Sequence, residues 1–206
     1  MPLVVAIKGI EKTYLFTDNC QYLGGSVLVK EAPRQFALQK FNNFVIGYYG
    51  SSTYFFKLAQ AFDFDSFPEP LTKGYLMRNF YAKFLEFLVK ETKCTFDTNA
   101  LTNSDFGIMI LGKDYAFDIG SEYLYQVRTI NACGDDRLAF QLHSSFKDKM
   151  SEEELIKVIM EKSAKYAYRT SYPYIMVDSS DLDHYVIVSK DGKKKKEKFI
   201  QYWGKK

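Results

Sequence analysis

MPLVVAIKGIEKTYLFTD, Met1 to Asp18, sets a short apolar run hard against the first residue and follows it with a second run after four residues. Val4–Ile7 reads as a buried strand. GIEK (Gly9–Lys12) reads as a turn, and Thr13–Asp18 as a second strand folded back on the first. The chain therefore begins on core structure and not on a frayed extension.

Working outward, YLGGS suits a loop or bulge, SVLVK and RQFAL are short strands separated by Pro33, and FVIGYYGS (Phe44–Ser51) is a further strand ending at a glycine. Ser51 or Ser52 is placed to cap a helix over STYFFKLAQAFDF. DSFPEP breaks it. From Leu71 to Lys90, the apolar residues Leu76, Phe80, Phe84, Phe87 and Leu88 fall on one helical face. The pattern then returns to strand: DFGIMIL, a GKD turn, YAFDIG, and EYLYQVRTI read as one meander. GDDRLAFQLHSSF (Gly134–Phe146) predicts a helix begun by Asp135 or Asp136, whose charge suits the N-terminal dipole. SEEELIKVIMEKSAKYA predicts another, opened by a Ser151–Glu154 capping box. YPYIMVD, DHYVIVSK and EKFIQYW close the chain as strands, with DGKKKK as a loop. Strands, two helices, strands, two helices, strands is the order of an α+β fold. Its economical solution is a four-layer αββα sandwich, two antiparallel sheets stacked together and flanked by helix pairs.

The 206 residues suit one domain, and 47% hydrophobic content is enough for a large core. Aromatics reach 17%, read as core filling and interface material. Formal net charge is +3 and uneven. From Ser189 onward eight Lys stand against Asp191 and Glu197, a net +6, which leaves the rest at −3. That asymmetry points to an anionic partner. Cys20, Cys94 and Cys133 form no CxxC pair and make an odd count, which argues against a disulfide framework and for a reducing compartment. With His143 and His184 as the only histidines, a zinc site is not expected, and no other metal or cofactor is implied. No signal peptide is visible, and no apolar stretch reaches membrane-spanning length.

Several strings, taken in order, resemble the proteasome β-subunit family with its N-terminal-nucleophile hydrolase sandwich: VAIKG, LFTDNCQYLGGSV, RQFAL, FVIGYYGS, the ACGDDRLAF stretch and SEEELIKVIMEKSAKYA. The resemblance runs to about Lys190. It implies a single domain over 1–190, with 191–206 as a basic hairpin or tail packed on the domain or a partner. In that family the mature chain begins with a threonine whose amine activates its own hydroxyl. Here Pro2 stands at that position, with neither hydroxyl nor thiol, and no Thr, Ser or Cys precedes Thr13. Only Met1 precedes Pro2, so no propeptide is expected to hide a nucleophile. Asp18 matches the family's strand-end aspartate. Arg34 falls where the family has a lysine, an exchange that is not neutral. Ala132, Cys133 and Gly134 stand for its glycine-serine-glycine. Tyr168 or Arg169 falls near the expected acid, and Ser171 matches a later serine.

The residues themselves leave alternatives. Cys20 and Cys133 are candidate thiol nucleophiles, though a free cysteine is more often a small buried hydrophobe; a helix start favours Cys133. Asp18 with Arg34 reads better as a buried ion pair than as a reaction centre. Asp135 and Asp136 read as caps, and His143 and His184 as ordinary. Lys193, Lys194, Lys195 and Lys196, with Trp203 and Tyr202 nearby, are a candidate contact for a polyanion, nucleic acid included, or for a partner protein. The resemblance and the missing nucleophile together imply a catalytically inactive subunit. It would be a structural component of a homo- or hetero-oligomeric ring, cytoplasmic or recruited into a virus particle, with protein partners on its C-terminal tail and no membrane association. The alternative is an active peptidase using Cys133, Cys20 or a processed terminus.

Overall fold

In the computed structural model, β1 (Val4–Lys8) and β2 (Thr13–Asp18) form the hairpin that the opening stretch predicts. Val4 lies opposite Thr17 and Lys8 opposite Thr13. The Gly9 amide donates to the Lys12 carbonyl at 2.8 Å. A Cβ on Gly9 would stand 2.9 Å from the Tyr14 ring, so glycine is what lets the turn close. The structure describes residues 3–18, 21–23, 26–28, 38–92, 96–97, 100–101, 106–134, 136–147, 150–166 and 173–200.

In chain order there follow β3 (Gln21–Leu23), β4 (Ser26–Leu28), β5 (Leu38–Lys40) and β6 (Val45–Tyr49). Next come α1 (Ser52–Ala61), α2 (Lys73–Leu76), a π turn (Met77–Tyr81) and α3 (Ala82–Thr92). The strands β7 (Phe96–Asp97), β8 (Ala100–Leu101), β9 (Gly107–Leu111), β10 (Ala116–Ile119), β11 (Leu124–Gln126) and β12 (Ile130–Cys133) precede α4 (Asp136–Ser145) and α5 (Glu152–Tyr166). β13 (Tyr174–Asp178), β14 (His184–Val188) and β15 (Lys194–Lys198) complete the set.

The strands build a six-stranded antiparallel sheet ordered β12-β1-β2-β13-β14-β15 and a five-stranded one ordered β11-β10-β9-β6-β5. Three apolar layers separate four structural layers. Val4, Ala6, Leu15, Val45, Met109 and Ile175 fill the space between the sheets. Leu3, Val5, Phe16, Leu142, Leu155 and Ile159 join the six-stranded sheet to α4 and α5. Ile46, Tyr48, Phe55, Phe80, Phe84 and Ile108 join the other sheet to α1–α3. Period-two alternation explains the division: Val4 and Ala6 face one way from β1, Val5 and Ile7 the other. The predicted stripe Leu76, Phe80, Phe84, Phe87 and Leu88 is buried throughout. Much of the aromatic excess is spent in that outer core, where Tyr48 and Phe55 stack at 4.5 Å.

Four local expectations need correction. EYLYQVRTI is not one strand. β11 belongs to the five-stranded sheet and β12 to the six-stranded one, so the chain crosses between sheets at Val127–Thr129. Ser51 occupies the N-cap of α1 but makes no side-chain cap bond. α3 runs past Lys90 to Thr92, and Thr72 caps α2 by accepting from the Tyr75 amide at 3.1 Å. Lys194–Lys196 are not loop: after a turn at Gly192, with φ of +78°, they pair with β14 as an edge strand, while Ile200 lies beyond it and is exposed. A strand bonded on one side only needs no apolar alternation, which is why its sequence does not announce it.

The capping box of α5 is present. The Glu154 amide donates to Ser151 Oγ at 3.3 Å, and the Ser151 amide to Glu154 Oε2 at 2.8 Å. Ser151→Ala is expected to lower stability by about 1 kcal/mol, measured as a urea midpoint shift without change of slope; no shift would show that α5 is held by packing alone.

Candidate functional site

The head of β1 is anchored by one buried contact. The Leu3 amide donates to Asp18 Oδ1 at 2.7 Å, and the Asp18 amide returns a bond to the Leu3 carbonyl at 3.3 Å. Asp18 and Leu3 are fully buried. The Tyr48 hydroxyl is held protonated well above the usual phenol range, first by burial and then by the charge of Asp18. Of the residues that the sequence nominates, Pro2, Cys20, Arg34, Tyr168, Arg169, Ser171, Tyr202 and Trp203 lie outside the described residues. Asp18, Cys133 and the lysine run are placed.

Cys133 reaches this region because β12 pairs with the other edge of β1. Val4 stands opposite Cys133 on one side and Thr17 on the other. Gly134, at φ +115°, then turns the chain toward α4 in a conformation that glycine alone adopts easily. Around Cys133 the two sheets meet in a polar knot inside an otherwise apolar layer. Tyr49 Oη donates to Asp118 Oδ1 at 3.2 Å and shares a 2.6 Å bond with Tyr123 Oη. Tyr123 Oη lies 3.8 Å from Cys133 Sγ, which in turn donates to Asp118 Oδ2 at 3.6 Å. The circuit closes on itself. Tyr125 Oη adds a bond to Asp118 Oδ2 at 3.2 Å, and Asn131 Nδ2 donates to both Asp118 Oδ2 and Cys133 Sγ.

Backbone geometry makes room for the knot. Tyr49 lies opposite Gly107 in the β6–β9 ladder, and its ring occupies the space where a Cβ on Gly107 would be. Gly107→Ala therefore has to displace Tyr49 from Asp118.

The electrostatics follow from burial. Desolvation raises Asp118 from 3.8 to about 7, against the opposing pull of the hydroxyl and thiol bonds. Burial, then the Asp118 charge, push the Cys133 thiol up to about 12. The same two causes raise Tyr123 and Tyr125 beyond the phenol range. Such a knot can store and pass a proton. It does not produce a thiolate, the form that attacks.

Other predicted residues are engaged elsewhere. His143 Nε2 accepts from the Ala132 amide at 3.2 Å, so α4 satisfies a donor on the edge of β12. His184 Nδ1 lies 2.9 Å from Asp181, which Lys196 and His184 hold down at about 2. The lysine run is paired residue by residue, Lys193 with Asp191, Lys194 with Glu152 and Lys195 with Glu197, each at 2.8 Å, and Lys196 with Asp181 at 2.6 Å. Among the described residues no group of three or more His, Cys, Asp or Glu is placed to hold a metal ion, and no helix is long and apolar enough to cross a membrane.

Asp118 is the residue that sequence reasoning missed. Its signal was available: in YAFDIG it shares the inward face of the strand with Ala116, where an acid is out of place.

No protein-family profile matches the chain, and no curated protein matches it by sequence. Solved structures do. Thiobacillus denitrificans BPH superposes with a TM-score of 0.64 at 15% identity, over 85% of this chain and 96% of that one. The same protein in complex with epoxomicin gives 0.58 at 14%, over 85% and 97%. Anbu, an ancestral beta-subunit from Yersinia bercovieri, gives 0.64 at 10%, over 92% and 88%. The fold is the proteasome-like N-terminal-nucleophile hydrolase sandwich. At these identities the likeness concerns the fold.

A carboxyl whose folded pKa is raised binds more protons folded than unfolded, so its stabilisation is complete below 3.8 and is lost as pH rises toward about 7. Asp118→Asn is expected to remove roughly 2–4 kcal/mol of that pH dependence, read as the difference between wild-type and variant urea unfolding at acid and neutral pH. Parallel curves across that window would show that Asp118 is ionised in the fold.

Proposed function

We propose that this chain is a catalytically inactive proteasome β-like subunit whose role is structural, as an assembly component of a ring-shaped complex of like or mixed subunits. One observation carries the reading. Pro2 precedes Leu3 in the sequence, at the position where the resembled family carries its nucleophile, and proline offers no hydroxyl or thiol for attack. Cys133 does not substitute for it, since burial and Asp118 keep its thiol protonated. Burial lifts Asp118 to about 7, a range useful for general acid–base work, but its hydrogen-bond partners are two phenols, an amide and that thiol, all protonated at neutral pH.

Assembly is supported by the outer faces. Met77 and Val89 on the helices over one sheet, and Phe140 on α4 over the other, are large apolar side chains that solvent reaches. Phe140 is 69% exposed. Residues of this kind anchor protein interfaces. A scaffold of this description would serve a cytoplasmic ring or a particle assembled there.

Native mass spectrometry of the purified chain at micromolar concentration is expected to show discrete multi-copy species. Monomer alone would contradict the assembly role. Turnover of fluorogenic peptides is expected to be absent; turnover abolished by Cys133→Ala would contradict the inactive reading.

A further inference from the structure

β15 is the last strand of the six-stranded sheet, and among the described residues no strand pairs with its outer edge. The phase of its ladder decides what that edge presents. The Ser189 amide donates to the Lys193 carbonyl at 3.0 Å, and the Phe199 amide to the Asp183 carbonyl at 2.9 Å. In the observed register this makes Ile187–Lys195 and Tyr185–Glu197 the mutually bonded pairs. Lys194, Lys196 and Lys198 therefore turn their amides and carbonyls away from β14. Their side chains share the face of Val188, Val186 and His184, on the helix side of the sheet, where Lys194 meets Glu152 at the start of α5.

We propose that this edge docks an extended acidic segment of another protein. The segment adds as a strand outside β15, with alternate carboxylates on the face of Lys194, Lys196 and Lys198. Lysines on a sheet edge ward off neutral strands, but an acidic strand turns the same charges into attraction. They also exclude a second copy, because antiparallel self-pairing of β15 would set lysine against lysine. A polyanion lacking a peptide backbone has less to gain. Lys194 and Lys196 already hold Glu152 and Asp181, so added carboxylates share those lysines, and what favours a strand is the ladder bonds that a nucleic acid cannot make. The inference does not rest on the ring assembly.

The test is fluorescence anisotropy of a labelled alternating Glu-Val peptide titrated with the full chain at low salt. Saturable binding is expected, weakened about two- to threefold in Lys196→Ala, which keeps the outward amide. In Lys196→Pro, which removes that amide at a position where an edge strand tolerates proline, it is expected to weaken by about tenfold or more. If the proline variant melts early, an N-methylated peptide supplies the same arm and is expected not to bind. No binding of the acidic peptide overturns the proposal. So does undiminished binding of the N-methylated peptide or equal affinity for a Lys-Val peptide. Tighter binding of a single-stranded oligonucleotide, lost equally in the two variants, also overturns it, as does self-association of the chain that Lys196→Pro abolishes.

Discussion

The hydrogen bond from the Leu3 amide to the buried Asp18 carboxyl fixes where β1 begins. β1 lies between β2 and β12, so its phase sets both neighbours at once. A slip of one residue would turn Val4 and Ala6 out of the inter-sheet layer and drive Val5 into it. The same phase sets Cys133 opposite Val4 and Asn131 opposite Ala6. That is what carries those two side chains over Asp118. One backbone anchor at the start of the chain thereby determines the geometry of a polar cluster built from β6, β10, β11 and β12.

The cluster shows how a sandwich of this kind can hold polar groups between its sheets. A buried carboxyl whose hydrogen-bond partners are hydroxyls, an amide and a thiol is stabilised by gaining a proton. A nucleophile needs the opposite setting, a nearby positive charge or base that lowers its pKa. Cys133 sits beside an acid and is raised instead. The knot's contribution is cohesion: it ties a residue pair of the six-stranded sheet to three strands of the other at a point where the apolar layer is interrupted.

Local signals were legible in the sequence. The spacing of Leu76, Phe80, Phe84 and Phe87 depends on helical period alone, and the Ser151–Glu154 box on three residues of separation. The four-layer order followed from the alternation of strands with helix pairs. What stayed hidden was non-local. Leu124–Gln126 and Ile130–Cys133 look continuous because nothing between them marks a change of sheet. Asp118 gains its meaning only when Tyr49, from 69 residues earlier, and Asn131 close around it. β15 escaped because its stabilising partners, β14, Glu152 and Asp181, leave no apolar imprint on a run of lysines.

The proposed inactivity rests on Pro2, which has neither hydroxyl nor thiol, at the sequence position where the resembled family carries its nucleophile. Intact and peptide-level mass spectrometry after prolonged incubation with an electrophilic peptide inhibitor directed at threonine or cysteine tests this most directly. Unmodified mass throughout is predicted, with Cys133 left as a free thiol that alkylates only after unfolding. A stoichiometric adduct at the start of the chain, at Cys133 or at Cys20 would contradict it.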